Sequence, residues 1–197
     1  LQLDHLPHLA FARDIFMFSF MAMGMPFVDI AYLKWQQIHD GVLHYARHKT
    51  GHKVCVAIEP YMTEIISRHT TQGSEYVFPI LADTTAANIH HTYLKRLRAY
   101  NYALHRLSQL IGSNRTLSSY VARHSWATIA RGMHIPVSVI SDSLGHDSEK
   151  TTQIYLKSID EDIIDRTNDM LMAAIEKGGN SNSNLRAGDN AKFCAGD

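Results

Sequence analysis

Residues 118–130 read SSYVARHSWATIA, a helical pattern that carries one arginine, Arg123, among largely apolar neighbours. Such a pattern predicts a helix over 118–131, capped by Gly132, that buries one face together with the guanidinium. A buried arginine needs an anionic partner. A structural carboxylate would satisfy it. A phosphate would satisfy it as well, because the planar guanidinium donates in a fork that matches phosphate oxygens.

A second motif, LGHDSEKTTQIYL at residues 144–156, holds His146 and Tyr155 nine positions apart (155 − 146). Histidine is suited to proton transfer near neutral pH, and a tyrosine hydroxyl with a pKa of about 10 is inert until it is activated. If Tyr155 shares a site with His146, it is a candidate nucleophile. If it does not, residues 135–156 are a helix–turn–helix with Gly145 at the turn.

Outward from these motifs, periodicity predicts a mostly α-helical chain with one small antiparallel β-sheet. A turn at Thr50-Gly51 is expected to join the two strands of that sheet. The Gly-, Asn- and Ser-rich residues 178–197 predict a disordered tail behind a domain over 1–177. The predicted helices cover 5–23, 27–33, 60–69, 86–110, 118–131, 136–145, 147–156 and 159–177, and the predicted strands cover 41–47 and 53–59.

The composition is that of an ordinary globular domain, with 45% hydrophobic and 19% charged residues in 197. No apolar run reaches the roughly 18–20 residues that a membrane helix needs, so we expect no membrane association. Cys55 and Cys194 lie far apart, which predicts no disulfide and fits a reducing cytoplasm. Because the chain begins without Met, we expect it to be a domain of a longer protein.

The charges are segregated although the net charge is zero. Residues 84–141 contain no Asp or Glu, whereas 142–177 are acidic overall. Segregation of this kind predicts one positive surface for a polyanionic partner, and the alternative is a solvated helix face. The bases of the positive stretch are Lys95, Arg96, Arg98, Arg106, Arg115, Arg123 and Arg131.

Together the motifs resemble the catalytic domain of the tyrosine recombinases, or phage-type integrases. The family pattern is H-x-x-R-H-x-x-A-T, then L-G-H, then a nucleophilic tyrosine nine residues after that histidine. Upstream, GMPFVDIAYLKW (24–35) resembles the family box G-x-R-x-x-E-hydrophobic-x-x-L-x-W, and HKTG (48–51) resembles the turn that carries the β-hairpin lysine. The resemblance covers residues 5–160 and is nearest to integrases of conjugative and other mobile elements.

The resemblance implies a role for each matching residue. Tyr155 would form a 3′-phosphotyrosyl bond with DNA, and Arg123 would hold the non-bridging oxygens of the scissile phosphate. Lys49 would protonate the leaving 5′-oxygen, and His146 would bind the phosphate or assist proton movement. No metal, ATP or other cofactor is expected, since one phosphodiester is exchanged for another through the covalent intermediate.

Two positions depart from the family pattern. The first arginine falls on Pro26, which has no donor, and the first histidine falls on Tyr120, which can still give one hydrogen bond. An active enzyme would need another positive group beside the phosphate. Arg13 on the first helix is the preferred candidate, and Arg47 beside the hairpin turn is the weaker one.

Double-stranded DNA is the implied partner. Its contacts are expected from the positive stretch, with Lys95, Arg96, Arg98 and His124 as candidate residues. The family's core-binding domain is expected to be missing from this chain. The helix over 159–177 would dock on a neighbouring subunit of a homo-tetramer, or pack on its own core in a monomeric isolated domain.

Two other hypotheses remain. One is a non-catalytic helix–turn–helix DNA-binding module, and the other is a degenerate recombinase that binds DNA without cutting it.

Overall fold

The computed structural model describes residues 2–3, 5–82 and 84–157. These residues form mostly helix with one small antiparallel sheet, so the predicted fold class is confirmed. A first unit extends to Leu156, and of the second unit only Lys157 is described. The helices are α1 (Pro7–Met21), α2 (Phe27–Ala31), α3 (Pro60–His69), α4 (Ile89–Leu110), α5 (Val121–Gly132), α6 (Val137–Leu144) and α7 (149–157), and the strands are β1 (Ile38–His39), β2 (Val42–Ala46) and β3 (Lys53–Ala57).

The sheet has the order β1-β2-β3, and both pairings are antiparallel. Alternate residues of β2 and β3 point inward, so Leu43, Tyr45, Val54 and Val56 are buried. The ladder ends where the Arg47 N–H donates to the carbonyl of His52, beyond the last paired residues of the two strands. Residues 48–51, between Arg47 and His52, form the turn that HKTG predicts.

Strand β1 was not predicted. It has two residues, too few for an alternating pattern to be recognisable. The turn that joins it to β2 consists of Asp40 and Gly41, which both adopt positive φ, at 53° and 71°. Two such residues form the tight hairpin turn that lets β1 pair with β2.

Helix α1 forms the centre of the core and packs against α3, α4 and α5. Ile15 and Phe18 are fully buried, and the Phe18 ring meets the Phe78 ring edge-on at 4.9 Å. Phe27 of α2 stacks on Tyr100 of α4 with the ring centroids 4.5 Å apart. These contacts fix the end of α1 and the start of α2 relative to the long helix α4.

The predicted boundaries mostly agree with the observed ones within a few residues, and the α3 boundaries agree at both ends. Pro60 begins α3, where its fixed φ and missing N–H are tolerated. The predicted helix over 159–177, the tail over 178–197 and the domain end at 177 lie outside the described residues. No helix in the described part of the chain combines the length and apolar character needed to cross a bilayer.

Candidate active site

Arg123 lies on α5, where that helix meets the turn after α1. Gly24 has a φ of +72°, and a Cβ atom there would lie 2.7 Å from the Arg123 Cα. Only glycine permits this approach. Arg123 Nη1 donates to the Gly24 carbonyl at 3.1 Å, and the residue is 5% exposed. The N-terminal box and the α5 motif, distant in sequence, therefore form one wall of a site.

The second wall is the end of α6. Arg123 Nη2 donates to the Leu144 carbonyl at 2.7 Å and lies 3.0 Å from His146 Nε2. Burial, followed by the charges of Arg123, Arg47 and Lys49, lowers the pKa of His146 to about 4. His146 is therefore neutral at pH 7.

A second guanidinium, that of Arg47, enters the same site from the hairpin. Arg47 is 7% exposed, and its Nη1 donates to the Leu144 carbonyl, which also accepts from Arg123. A Cβ on Gly145 would lie 2.6 Å from the Arg47 Cγ, so the absence of a side chain at Gly145 makes room for the Arg47 side chain. Two buried arginines thus converge on one carbonyl oxygen.

Asp29 is the counterion of Arg47. Its Oδ2 lies 3.0 Å from Arg47 Nε, and its Oδ1 accepts the His48 N–H at 2.8 Å. Burial raises the pKa of Asp29, against the opposing effects of the His48 hydrogen bond and the Arg47 charge. The pair ties α2 to the hairpin and orients Arg47.

No carboxylate among the described residues is paired with Arg123. Among the described residues, its hydrogen bonds go to two carbonyl oxygens and one imidazole. Burial, and then the like charge of Arg47, lowers the pKa of Arg123 to about 10. The sequence left open a structural carboxylate as the partner of Arg123, and the described residues supply carbonyls and an imidazole instead. The two positive groups form a site suited to an anion.

Tyr155 of α7 lies at the mouth of this site inside an aromatic cluster. Its ring meets those of Tyr120, His124 and His146 edge-on, with centroids 5.9, 6.0 and 5.9 Å away. Burial, followed by a hydrogen bond with Tyr120, raises the pKa of Tyr155, whereas the Arg123 charge acts in the opposite direction. The nucleophile candidate is therefore a neutral phenol beside a buried guanidinium.

Lys49 lies on the turn between β2 and β3 and is exposed. Thr50 holds that turn against the end of α6, because its Oγ1 donates to the Gly145 carbonyl at 3.1 Å. The ammonium of Lys49 is near enough to His146 for its charge to lower the imidazole pKa. The hairpin therefore brings two bases, Arg47 and Lys49, to one site.

A sequence profile of the Phage integrase family matches residues 7–162. The chain belongs to this family. No curated protein sequence matches. Among solved structures, similar ones include XerA recombinase (14% identity, TM-score 0.48, 74% of this chain and 56% of that one). A second is a lambda integrase dimer bound to a COC′ core site, with 18% identity, a TM-score of 0.47, and coverage of 78% of this chain and 43% of that one. A third is the Tn1549 transposon integrase in complex with circular intermediate DNA, with 12% identity, a TM-score of 0.46, and coverage of 79% of this chain and 61% of that one.

The chain spans between 43% and 61% of the length of these three chains.

Within the family pattern, Pro26 occupies the position of the first arginine. The contacts of Arg13 do not support it as the replacement for that arginine. The Arg13 Nη2 lies 2.8 Å from the Oδ1 of Asp14, a fully buried carboxylate that also binds Arg68 and His69 of α3. A buried carboxylate needs positive partners, and Arg13 is one of them. Arg47, ranked lower from the sequence, is the arginine that the structure brings to Arg123.

Sequence reasoning missed the pairing of Arg47 with Asp29. A signal was present, since Asp29 stands at the acidic position of the box GMPFVDIAYLKW. What the sequence could not show is that this carboxylate lies against the hairpin, 18 residues downstream (47 − 29).

The candidate DNA-contacting residues lie in two places. Lys95, Arg96 and Arg98 are exposed along α4, and His124 is partly buried beside Tyr155. Asn101 of α4 accepts the N–H of Ser119 at 2.8 Å, just before α5 begins. The basic helix is thereby attached to the segment that carries the site.

Proposed function

We propose that this chain is the catalytic part of a site-specific DNA recombinase that cuts and rejoins DNA strands through a 3′-phosphotyrosine intermediate. The observation that carries the proposal is the convergence of two buried guanidinium groups, Arg123 and Arg47, beside the Tyr155 ring. Membership of the integrase family supports it.

The scissile phosphate would be bound by the two arginines. Phosphoryl transfer develops charge on the non-bridging oxygens, and preorganised donors stabilise that charge. Arg123 and Arg47 both donate to the Leu144 carbonyl, a weaker acceptor than a phosphate oxygen. Arg47 would thus supply the positive charge that Pro26 cannot.

Strand cleavage would begin with attack of the Tyr155 Oη on phosphorus. The phenolic proton would pass to His146 Nε2, and the bond between phosphorus and the 5′-oxygen would break. The Lys49 ammonium would give its proton to that oxygen, a poor leaving group as an alkoxide. Rejoining reverses these transfers, so no metal or nucleotide cofactor is consumed.

Tyr120 would position the nucleophile. It stands where the family pattern has histidine, and its side chain forms a hydrogen bond with Tyr155. Tyr120 is 53% exposed, so DNA that enters the site would meet it. A neutral phenol at this position orients Tyr155 but adds no charge.

The test is the trapping of a covalent protein–DNA adduct. The probe is a pool of nicked duplexes with randomised sequence around the nick, because a cut beside a nick releases a short fragment and the reaction cannot reverse. Tyr155→Phe should retain folding and DNA binding but form no SDS-resistant adduct. Tyr102→Phe removes an exposed phenol on α4 and should leave adduct formation unchanged.

The outcomes separate the three hypotheses. Adduct from the wild-type chain that disappears with Tyr155→Phe supports a recombinase. Adduct that persists in Tyr155→Phe would remove Tyr155 from its role. DNA binding with no adduct from the wild-type chain would favour a helix–turn–helix module or a degenerate recombinase.

A further inference from the structure

His146 has a second polar contact, on α7. The Nδ1 of His146 lies 2.8 Å from the Oγ1 of Thr152, on the side of the ring away from Arg123. Thr152 is fully buried and stands on α7, three residues before Tyr155 (155 − 152). Both ring nitrogens of His146 are therefore engaged, one by a guanidinium and the other by a hydroxyl.

The chemistry of the partners determines the tautomer. A guanidinium has N–H donors and no acceptor, so Nε2 at 3.0 Å from Arg123 Nη2 must carry the lone pair. A neutral imidazole with Nε2 unprotonated has its proton on Nδ1. That proton then points at Thr152 Oγ1, which accepts it.

We propose that Thr152 is a positioning residue that holds His146 as the Nδ1–H tautomer and directs its Nε2 lone pair into the site. The inference rests on the proposed function, in which that lone pair accepts the Tyr155 proton. In that step the Arg123 N–H must leave Nε2 for the phosphate, since a protonated Nε2 can no longer accept it. The imidazolium keeps its Nδ1–H bond to Thr152, so the ring does not need to turn.

A hydroxyl in this place differs from the carboxylate that orients many catalytic histidines. A carboxylate would stabilise the imidazolium and favour protonation of His146 before DNA binds. A neutral hydroxyl orients the ring without adding charge. Burial and the three bases Arg123, Arg47 and Lys49 then keep it neutral at pH 7, and its low pKa agrees with this arrangement. A bound phosphate would offset those bases and make Nε2 a better proton acceptor.

The first test needs no DNA, so it is independent of the recombinase proposal. The chain is labelled with ¹⁵N at histidine, and two-bond ¹⁵N–¹H spectra report the tautomer, with the His146 signals assigned by their loss in His146→Gln. Wild-type His146 should show the Nδ1–H pattern at pH 7. Thr152→Val, which keeps the shape and removes the hydroxyl, should convert His146 to the Nε2–H form or to a mixture.

Two variants control this experiment. Thr152→Ser restores a hydroxyl and should restore the Nδ1–H pattern. Thr151→Val makes the same change one residue earlier, where the hydroxyl meets Ser148 instead of His146, and should leave the His146 signals unchanged. If Thr152→Val does not fold, Thr152→Ala serves in its place. A pure Nδ1–H pattern in the folded hydroxyl-free variant would overturn the proposal.

The second test measures adduct formation on the nicked duplex pool. Thr152→Val should slow adduct formation by about tenfold to a hundredfold, by analogy with the loss of groups that orient metal-bound histidines. Binding of the same duplexes should change little, and Thr152→Ser should recover most of the rate. Equal slowing by Thr152→Val and Thr151→Val would overturn the positioning role. No adduct from the wild-type chain would instead contradict the proposed function.

Discussion

The electrostatics of the site depend on individual residues, and Arg47, the weaker candidate from the sequence, is the arginine that lies beside Arg123. Its neighbour Asp29 balances one of the two buried guanidinium charges, and Arg123 is left for an anion. Two glycines make the geometry possible, because a side chain at Gly24 or Gly145 would collide with one arginine each. The consequences can be tested by single substitutions.

Arg47→Met should lower the rate of adduct formation by about 10²–10³, the usual cost of losing one transition-state donor. Methionine keeps much of the side-chain volume, so the lost charge accounts for most of the effect. Single-turnover cleavage and equilibrium DNA binding are measured separately, and binding should change far less than cleavage.

Arg13→Ala is the matched control, since Arg13 was the rival candidate. Its contact is with Asp14, so the substitution should lower the melting temperature and leave cleavage nearly unchanged. A larger cleavage defect in Arg13→Ala than in Arg47→Met would reverse the assignment. Folding of both variants is checked by circular dichroism before the rates are compared.

Lys49→Ala should slow cleavage of an ordinary strand far more than cleavage of a strand with a sulfur at the 5′-bridging position. The thiolate leaves without a proton, so an acid is needed only for the oxygen substrate. Rates on both substrates give the ratio that distinguishes the roles. Equal slowing on the two would mean that Lys49 acts in binding.

At the scale of elements, α1 and α3 are joined by a buried carboxylate. Asp14 on α1 accepts from Arg68 and His69, which both lie in the last turn of α3. Burial raises the pKa of Asp14, but the hydrogen bonds with His69, Arg13 and Arg68 outweigh burial and hold that pKa below its usual value. The folded state therefore favours the ionised carboxylate.

Asp14→Asn should lower the free energy of unfolding at pH 7 by about 2 kcal/mol, the range for hydrogen bonds to a charged group. Because the folded pKa is depressed, this contribution is fully present above the unfolded pKa of about 3.9. It is lost as the pH falls through the folded value. The difference between wild type and variant should therefore shrink as the pH falls below about 4.

Urea denaturation followed by circular dichroism measures both free energies at each pH. Glu64→Gln changes an exposed carboxylate on the same helix α3 and should cost little at either pH. A constant difference between wild type and Asp14→Asn down to pH 3 would contradict the depressed pKa of Asp14.

The segregation of charge along the chain is also a surface property of the described residues. Six of the seven bases between residues 84 and 141 are exposed, and the seventh, Arg123, lies in the site. That these bases form one positive surface for a polyanion stays a prediction. The homo-tetramer through residues 159–177 remains a prediction, since those residues lie outside the described part of the chain.

Binding of duplex DNA should weaken steeply with salt, with a log–log slope of about −0.9 for each phosphate neutralised. Lys95→Gln should make this slope shallower by about 0.9. Lys34→Gln removes the same charge outside the positive stretch, from an exposed pair with Glu75, and should leave the slope unchanged. Affinity that does not vary between low and physiological salt would rule out the proposed surface.

Much of the site was predictable because its motifs are local. Tyr155 and His146 share one short stretch, and Arg123 stands out as a charge on an apolar helical pattern. Alternation and turn residues predict the hairpin that carries Lys49. These inferences need only neighbours in sequence, where periodicity and turn chemistry act.

The choice between Arg13 and Arg47 was not local. Both are arginines near a motif, and their sequence positions do not show which guanidinium meets Arg123. The folded chain decides, because Asp14 is buried against α3 and retains Arg13, whereas Asp29 is buried against the hairpin and orients Arg47. Local patterns in the sequence were enough to predict the elements and to select most of the candidate site residues. The pairing of the charges required the folded chain, since it depends on which carboxylates the packing removes from water.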